Sequence, residues 1–157
     1  MLKVKQLHSD SKIPTRAYST DSGLDLYAYL PNGDITLYLN TPVVVRTGIA
    51  VELPQDKTVI TDMDNTKYTL VKEAQIRGTF ELASKGISAH WGTVCNSYAG
   101  ELKVILTNLG SDRFFTISHN MRIARLVIQT VLIPELEIVQ ELADTYRGKN
   151  GFGSTGR

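Results

Sequence analysis

Arg122-Ile123-Ala124-Arg125-Leu126-Val127-Ile128-Gln129-Thr130-Val131-Leu132-Ile133 is the stretch that decides the fold class. It reads as a long strand with Ala124, Leu126, Ile128 and Leu132 on one side, because side chains two apart share a face of an extended chain. The same alternation recurs in Glu101 to Leu106, where Leu102, Val104 and Leu106 line up. Leu2 to Leu7, Ile35 to Leu39, Val43 to Leu53, Lys57 to Thr61 and Leu136 to Gln140 add shorter strands. Between them stand turn formers: Pro31-Asn32-Gly33-Asp34, Gly48, Pro54, Asn108 to Asp112 and Pro134. Helical periodicity is confined to Phe80 to Lys85, ended by Gly86 where a left-handed cap is favoured. Many short strands separated by turns predict an all-β sandwich, jelly roll or barrel.

The chain has 157 residues, enough for one domain with a sizeable core. Hydrophobic residues make up 42% and charged residues 21%, which excludes a disordered chain. Lysine plus arginine number 17 against 16 acids, a net charge of +1 that gives no bulk attraction to nucleic acid or to an anionic membrane. The single cysteine, Cys95, excludes an intrachain disulfide. His8, His90 and His119 lie too far apart in sequence for a zinc-binding helix motif. No segment offers the ~20 apolar residues of a membrane span. The alternating start, Met1 to Leu7, lacks the apolar block of a secretory signal, so the expected location is the cytoplasm.

Composition changes at Tyr146, where the sequence becomes YRGKNGFGSTGR. Such a segment cannot fold on itself, since each glycine carries a large ordering entropy and little is buried in return. It is either a frayed terminus or an arm that orders over an anion. In the second reading glycine N–H groups approach phosphate, Ser154 and Thr155 donate hydrogen bonds, Arg147 supplies charge and Phe152 stacks on a base. The division expected is a barrel domain over 1–145 and a flexible glycine-rich arm over 146–157.

RGKNGFGSTG resembles the C-terminal motif of the trimeric dUTPases, which hydrolyse dUTP to dUMP and pyrophosphate with magnesium. Four further motifs follow in family order. Ser19 to Ala28, with Gly23-Leu24-Asp25-Leu26 at its centre, is similar to the first, and Arg46 to Pro54 to the framework strand after it. Gly92 to Glu101 resembles the third and Met121 to Val127 the fourth. The resemblance implies a jelly-roll-like β-barrel and a homotrimer whose active sites draw on all three chains. It also implies that the arm closes over a nucleotide, dUTP or dUMP, that Tyr98 lies under the deoxyribose, and that Asp25 serves catalysis or holds magnesium through water.

Departures from the family pattern bear on activity. Cys95 stands where the family has its water-activating aspartate, and a thiol, with an ordinary pKa near 8.5, is a poor acceptor for a water proton. On residue type alone Cys95 reads as a small, buried, inert residue. Gly78-Thr79-Phe80-Glu81 aligns with the second motif, whose phosphate-binding arginine and serine have become Thr79 and Phe80, while Glu81 adds an acid. Arg77 could replace the missing arginine from ~6.6 Å along the strand, on the same face, and Thr79 is the other candidate phosphate contact. Arg125 takes the place of a glutamine, keeping an anion-binding donor with a different geometry. Trp91, before Gly92, either covers core or reshapes the base pocket. Asp56 to Glu73 contains an insertion with Asp62-Met63-Asp64-Asn65 as its turn, a solvated hairpin tip in preference to a cation site.

The features that shape a nucleotide pocket persist, whereas the third-motif acid and the second-motif Arg-Ser are gone. The sequence therefore predicts a nucleotide-binding protein that sequesters a phosphorylated nucleotide without ordinary dUTPase turnover. Its alternatives are a divergent, magnesium-dependent dUTP diphosphatase and a trimeric interaction module without catalysis. Self-association and the nucleotide are the partners expected, with no membrane and no direct nucleic-acid binding.

Overall fold

The computed structural model describes residues 1–63 and 65–149. Eleven strands and one turn of helix follow in the order β1 (Lys3–Gln6), β2 (Gly23–Tyr27), β3 (Ile35–Tyr38), β4 (Pro42–Glu52), β5 (Thr58–Thr61), β6 (Lys67–Arg77), α1 (Phe80–Ala83), β7 (Ile87–Ala89), β8 (Gly92–Val94), β9 (Glu101–Asn108), β10 (Phe114–Ile117) and β11 (Arg122–Ile133). One sheet has the order β1-β4-β9-β7 and another β2-β11-β6-β5, with β8 also paired to β6, while β10 and β3 form a ribbon. Every pairing between these strands is antiparallel.

Alternation explains which faces meet. Leu102, Val104 and Leu106 of β9 are at most 1% exposed and pack with Val45 of β4, Leu26 of β2 and Leu126 of β11 in a single core. Ala124 and Leu126, expected on one side of β11, are fully buried, but Leu132 near its far end is half exposed. The strand outruns the core, and its distal half pairs only with β6.

Lys57 to Thr61 is a strand as read, and the insertion resolves into the β5–β6 hairpin. Its tip is solvated at Asp62, whose carboxylate accepts from the Thr66 amide at 2.9 Å and from the Tyr68 hydroxyl at 3.0 Å, while Asp64 of the same expected turn lies outside the described residues. Leu136 to Gln140 is not a strand. Leu136 and Ile138 are 95% and 100% exposed, because among the described residues no edge receives their backbone or their apolar faces. The helical turn spans Phe80–Ala83, and Gly86 adopts φ +76°, the left-handed conformation its position predicted.

Candidate functional site

Residues from three adjacent strands build the first half of the site. Arg125 on β11 lies opposite both Asp25 on β2 and Arg77 on β6, so the three side chains start from one row on one sheet face. Gly23 leaves this arginine room: a Cβ there would come within 2.9 Å of the Arg125 Cδ, so a larger residue would push the side chain aside. Asp25, 5% exposed, accepts from Arg125 Nε at 3.0 Å and from Arg122 Nη1 at 3.2 Å. Both carboxylate oxygens are thus engaged by guanidinium groups, which orients the arginines.

Arg122 is also shared with Glu81, whose Oε2 accepts from Nη2 at 2.9 Å. The bonds to Glu81 and then to Asp25 raise the Arg122 pKa above its already high value, so it is a fixed cation. Lys85 Nζ lies 3.8 Å from the other Glu81 oxygen. Gly78, Thr79, Phe80, Glu81, Arg122 and Arg125 enclose a cavity of about 140 Å³ beside this cluster. Thr79, expected as a phosphate contact, caps α1: its hydroxyl accepts from the Leu82 amide at 3.3 Å. Phe80, in place of the family serine, is 95% exposed. Arg77 does not turn toward the cavity; it donates to Gln75 Oε1 at 2.8 Å and Gln129 Oε1 at 3.3 Å.

The second half is a cleft of about 460 Å³ lined by β8, the following turn and the start of β9, including Thr93, Cys95, Ser97, Tyr98 and Glu101. The turn closes through the Tyr98 amide donating to the Cys95 carbonyl at 2.9 Å. Asn96 anchors it, its side-chain amide donating to the carbonyls of Pro54 and Lys72, each at 3.1 Å. Tyr98 folds over Gly100, where a Cβ would meet its hydroxyl at 2.5 Å, and donates to the Glu101 carbonyl at 2.9 Å. Glu101 takes Arg46 Nε at 3.1 Å and the Gly48 amide at 2.9 Å.

Cys95, expected as a buried residue, is exposed, because the turn carries it out of the sheet just after the buried Val94. Of the two alternatives read for Trp91, the core-covering one is corrected: the residue is 84% exposed, since the β7–β8 connection presents it outward. β6 links the halves, with Ile76 in the cleft wall and Gly78, just beyond its end, at the cavity.

Arg147 is exposed, beside a turn in which the Gly148 amide donates to the Thr145 carbonyl at 2.9 Å. Phe152, Ser154 and Thr155 lie outside the described residues. Arg122 and Glu101 were not singled out by sequence. Arg122 is distinguished only by its partner across the sheet, and Glu101 only by the Arg46 side chain that reaches it from β4. No three His, Cys, Asp or Glu side chains gather into a metal-holding group among the described residues. Asp25, expected to hold magnesium through water, gives both carboxylate oxygens to guanidinium groups, so a magnesium ion at this site would be carried mainly by phosphate oxygens and water.

The strands, a cleft of about 460 Å³ and a separate arginine-lined cavity define an all-β protein with a two-part candidate site. The dUTPase family model matches residues 9–156. Deoxyuridine 5'-triphosphate nucleotidohydrolase of Clostridioides difficile is 37% identical, over 99% of this chain and 97% of its own. The protein of the same name from Gloeothece citriformis is 40% identical, over 99% and 96%. The Staphylococcus bacteriophage 80alpha dUTPase with dUPNHPP superposes with a TM-score of 0.81 at 23% identity, over 100% of this chain and 99% of that one. The chain belongs to the dUTPase family.

Proposed function

We propose that the chain is a magnesium-dependent dUTP diphosphatase, cleaving the bond between the α- and β-phosphates to give dUMP and pyrophosphate. The observation that carries this reading is 37% identity to a deoxyuridine 5'-triphosphate nucleotidohydrolase across 99% of the chain. The cleft beside Tyr98 takes the nucleoside, with the tyrosine ring against the deoxyribose. Arg122 and Arg125, oriented by Asp25, face the phosphates. The arm from Tyr146 closes over them with Arg147, Ser154 and Thr155, and Phe152 covers the base. Magnesium on the phosphates supplies the charge neutralisation that phosphoryl transfer needs.

The homotrimer belongs to the same proposal. Leu136, Ile138, Leu142 and Tyr146 are 87% exposed or more, and a neighbouring chain gives them a surface to cover. Cys95 faces the cleft where a carboxylate would activate water, so general-base assistance, commonly worth about 10²–10⁴-fold, is weakened and turnover is slow.

Cys95, Thr79 and Phe80 favour a second reading, nucleotide binding or sequestration without turnover. Incubation with dUTP and magnesium separates the two. Pyrophosphate release that needs the protein supports the diphosphatase. A raised Tm with no release supports sequestration, because a ligand that prefers the native state stabilises it. Neither effect overturns both.

A further inference from the structure

Glu81 makes this chain's phosphate cavity unlike a simple cationic cradle. The Arg122 guanidinium is divided between two carboxylates, Asp25 at 3.2 Å and Glu81 at 2.9 Å, and Arg125 is held by Asp25 at 3.0 Å. Asp25 is 5% exposed and fixed, but the Glu81 side chain is 50% exposed and can rotate away. Glu81 stands on the cavity wall, with Arg122 and Arg125 facing the same 140 Å³. At ~30 Å³ per water, that volume holds several waters or one phosphate group. An anion entering it must take the Arg122 donor that Glu81 occupies, and it meets the displaced carboxylate beside it. A structural role for the pair would be slight, because exposed ion pairs stabilise a fold by only ~0–1 kcal/mol.

We propose that Glu81 selects the metal-carried form of a polyphosphate over the bare anion at this cavity. A divalent cation on the phosphates faces the Glu81 carboxylate and turns its repulsion into attraction, directly or through a coordinated water. A metal-free polyphosphate keeps the full repulsion. The inference rests on the reading of the cavity as a phosphate site.

The test is calorimetric titration of the full chain with inorganic pyrophosphate, in excess magnesium and in EDTA. Glu81→Gln removes the charge and keeps the shape, and should bind metal-free pyrophosphate about tenfold more tightly, the effect of one close like charge partly screened by water. Binding with magnesium should change less, or weaken, so the preference for the metal-bound form falls. Glu81→Ala should behave as Glu81→Gln, while Glu81→Asp, which retains the charge, should keep the unmodified preference. An unchanged preference in Glu81→Gln and Glu81→Ala overturns the proposal, as does absence of pyrophosphate binding in every variant. If the unmodified protein turns over dUTP while Glu81→Gln keeps the metal preference, the Glu81 assignment alone fails. If the preference falls in Glu81→Gln but dUTP is not cleaved, the assignment stands and the diphosphatase reading fails.

Discussion

At Cys95 a single side chain sets the expected rate. Cys95→Asp returns a carboxylate to an exposed turn that has room for it, and kcat for dUTP should rise, by less than the ~10²–10⁴-fold of full general-base assistance because Thr79 and Phe80 remain. Pyrophosphate release under saturating dUTP measures the gain, and an unchanged or lower kcat would count against water activation at this position. Adding Thr79→Arg with Phe80→Ser should raise the rate further but at a structural cost. Thr79 caps α1, and losing that hydroxyl should lower stability by about 1 kcal/mol, read as a shifted denaturant midpoint. Asp25 presents the opposite balance. Asp25→Asn leaves Arg125 without its counter-charge and Arg122 with Glu81 alone, and should destabilise by ~1.5–3 kcal/mol, the worth of hydrogen bonds to charged groups, while also loosening both arginines. A variant as stable as the unmodified chain would show that the arginines hold themselves in place.

Strands β9, β6 and β11 differ in what they bury. Leu106 of β9 is fully buried between the sheets, so Leu106→Ala should cost ~2–5 kcal/mol in a chemical denaturation experiment. The β5–β6 hairpin should be far more tolerant. Val59 and Ile60 are 60% and 44% exposed, so replacing its tip with a tight turn removes little buried apolar area. The outer face of β6 and β11 carries a connected polar ladder: Glu73 accepts from Gln75 at 3.0 Å and Gln129 at 2.8 Å, and Arg77 donates to both glutamines. This ladder accounts for Arg77, which the sequence offered as a substitute phosphate ligand and which points instead along its own strand pair.

Across the whole molecule, unfilled apolar surface points to assembly. The segment after β11 carries Leu136, Ile138 and Leu142 almost fully exposed, a configuration that water penalises until another surface covers it. Static light scattering at micromolar concentration should give three times the mass of the chain, and a monomer would leave that segment unexplained. Truncation after Tyr146 should leave the thermal transition intact and weaken nucleotide binding, since glycine-rich sequence contributes little to the core. Equal affinity in the truncated protein would remove the arm from the site.

Sequence by itself determined the all-β class, because period-two alternation in Glu101 to Leu106 and in the first half of β11 leaves one face to bury. It also determined the family, since ordered motifs depend on residue identity and spacing. Alternation misled at Leu136 to Gln140, where the pattern is right but no strand edge among the described residues receives it. Only the tertiary structure decided that Cys95 and Trp91 are exposed, because a turn or a connection sets a side chain's direction from contacts distant in sequence. It alone joined Asp25 to Arg122 and Arg125, about a hundred positions later, and brought Glu81 onto the same guanidinium. Strand register, which no local pattern encodes, makes those charges neighbours.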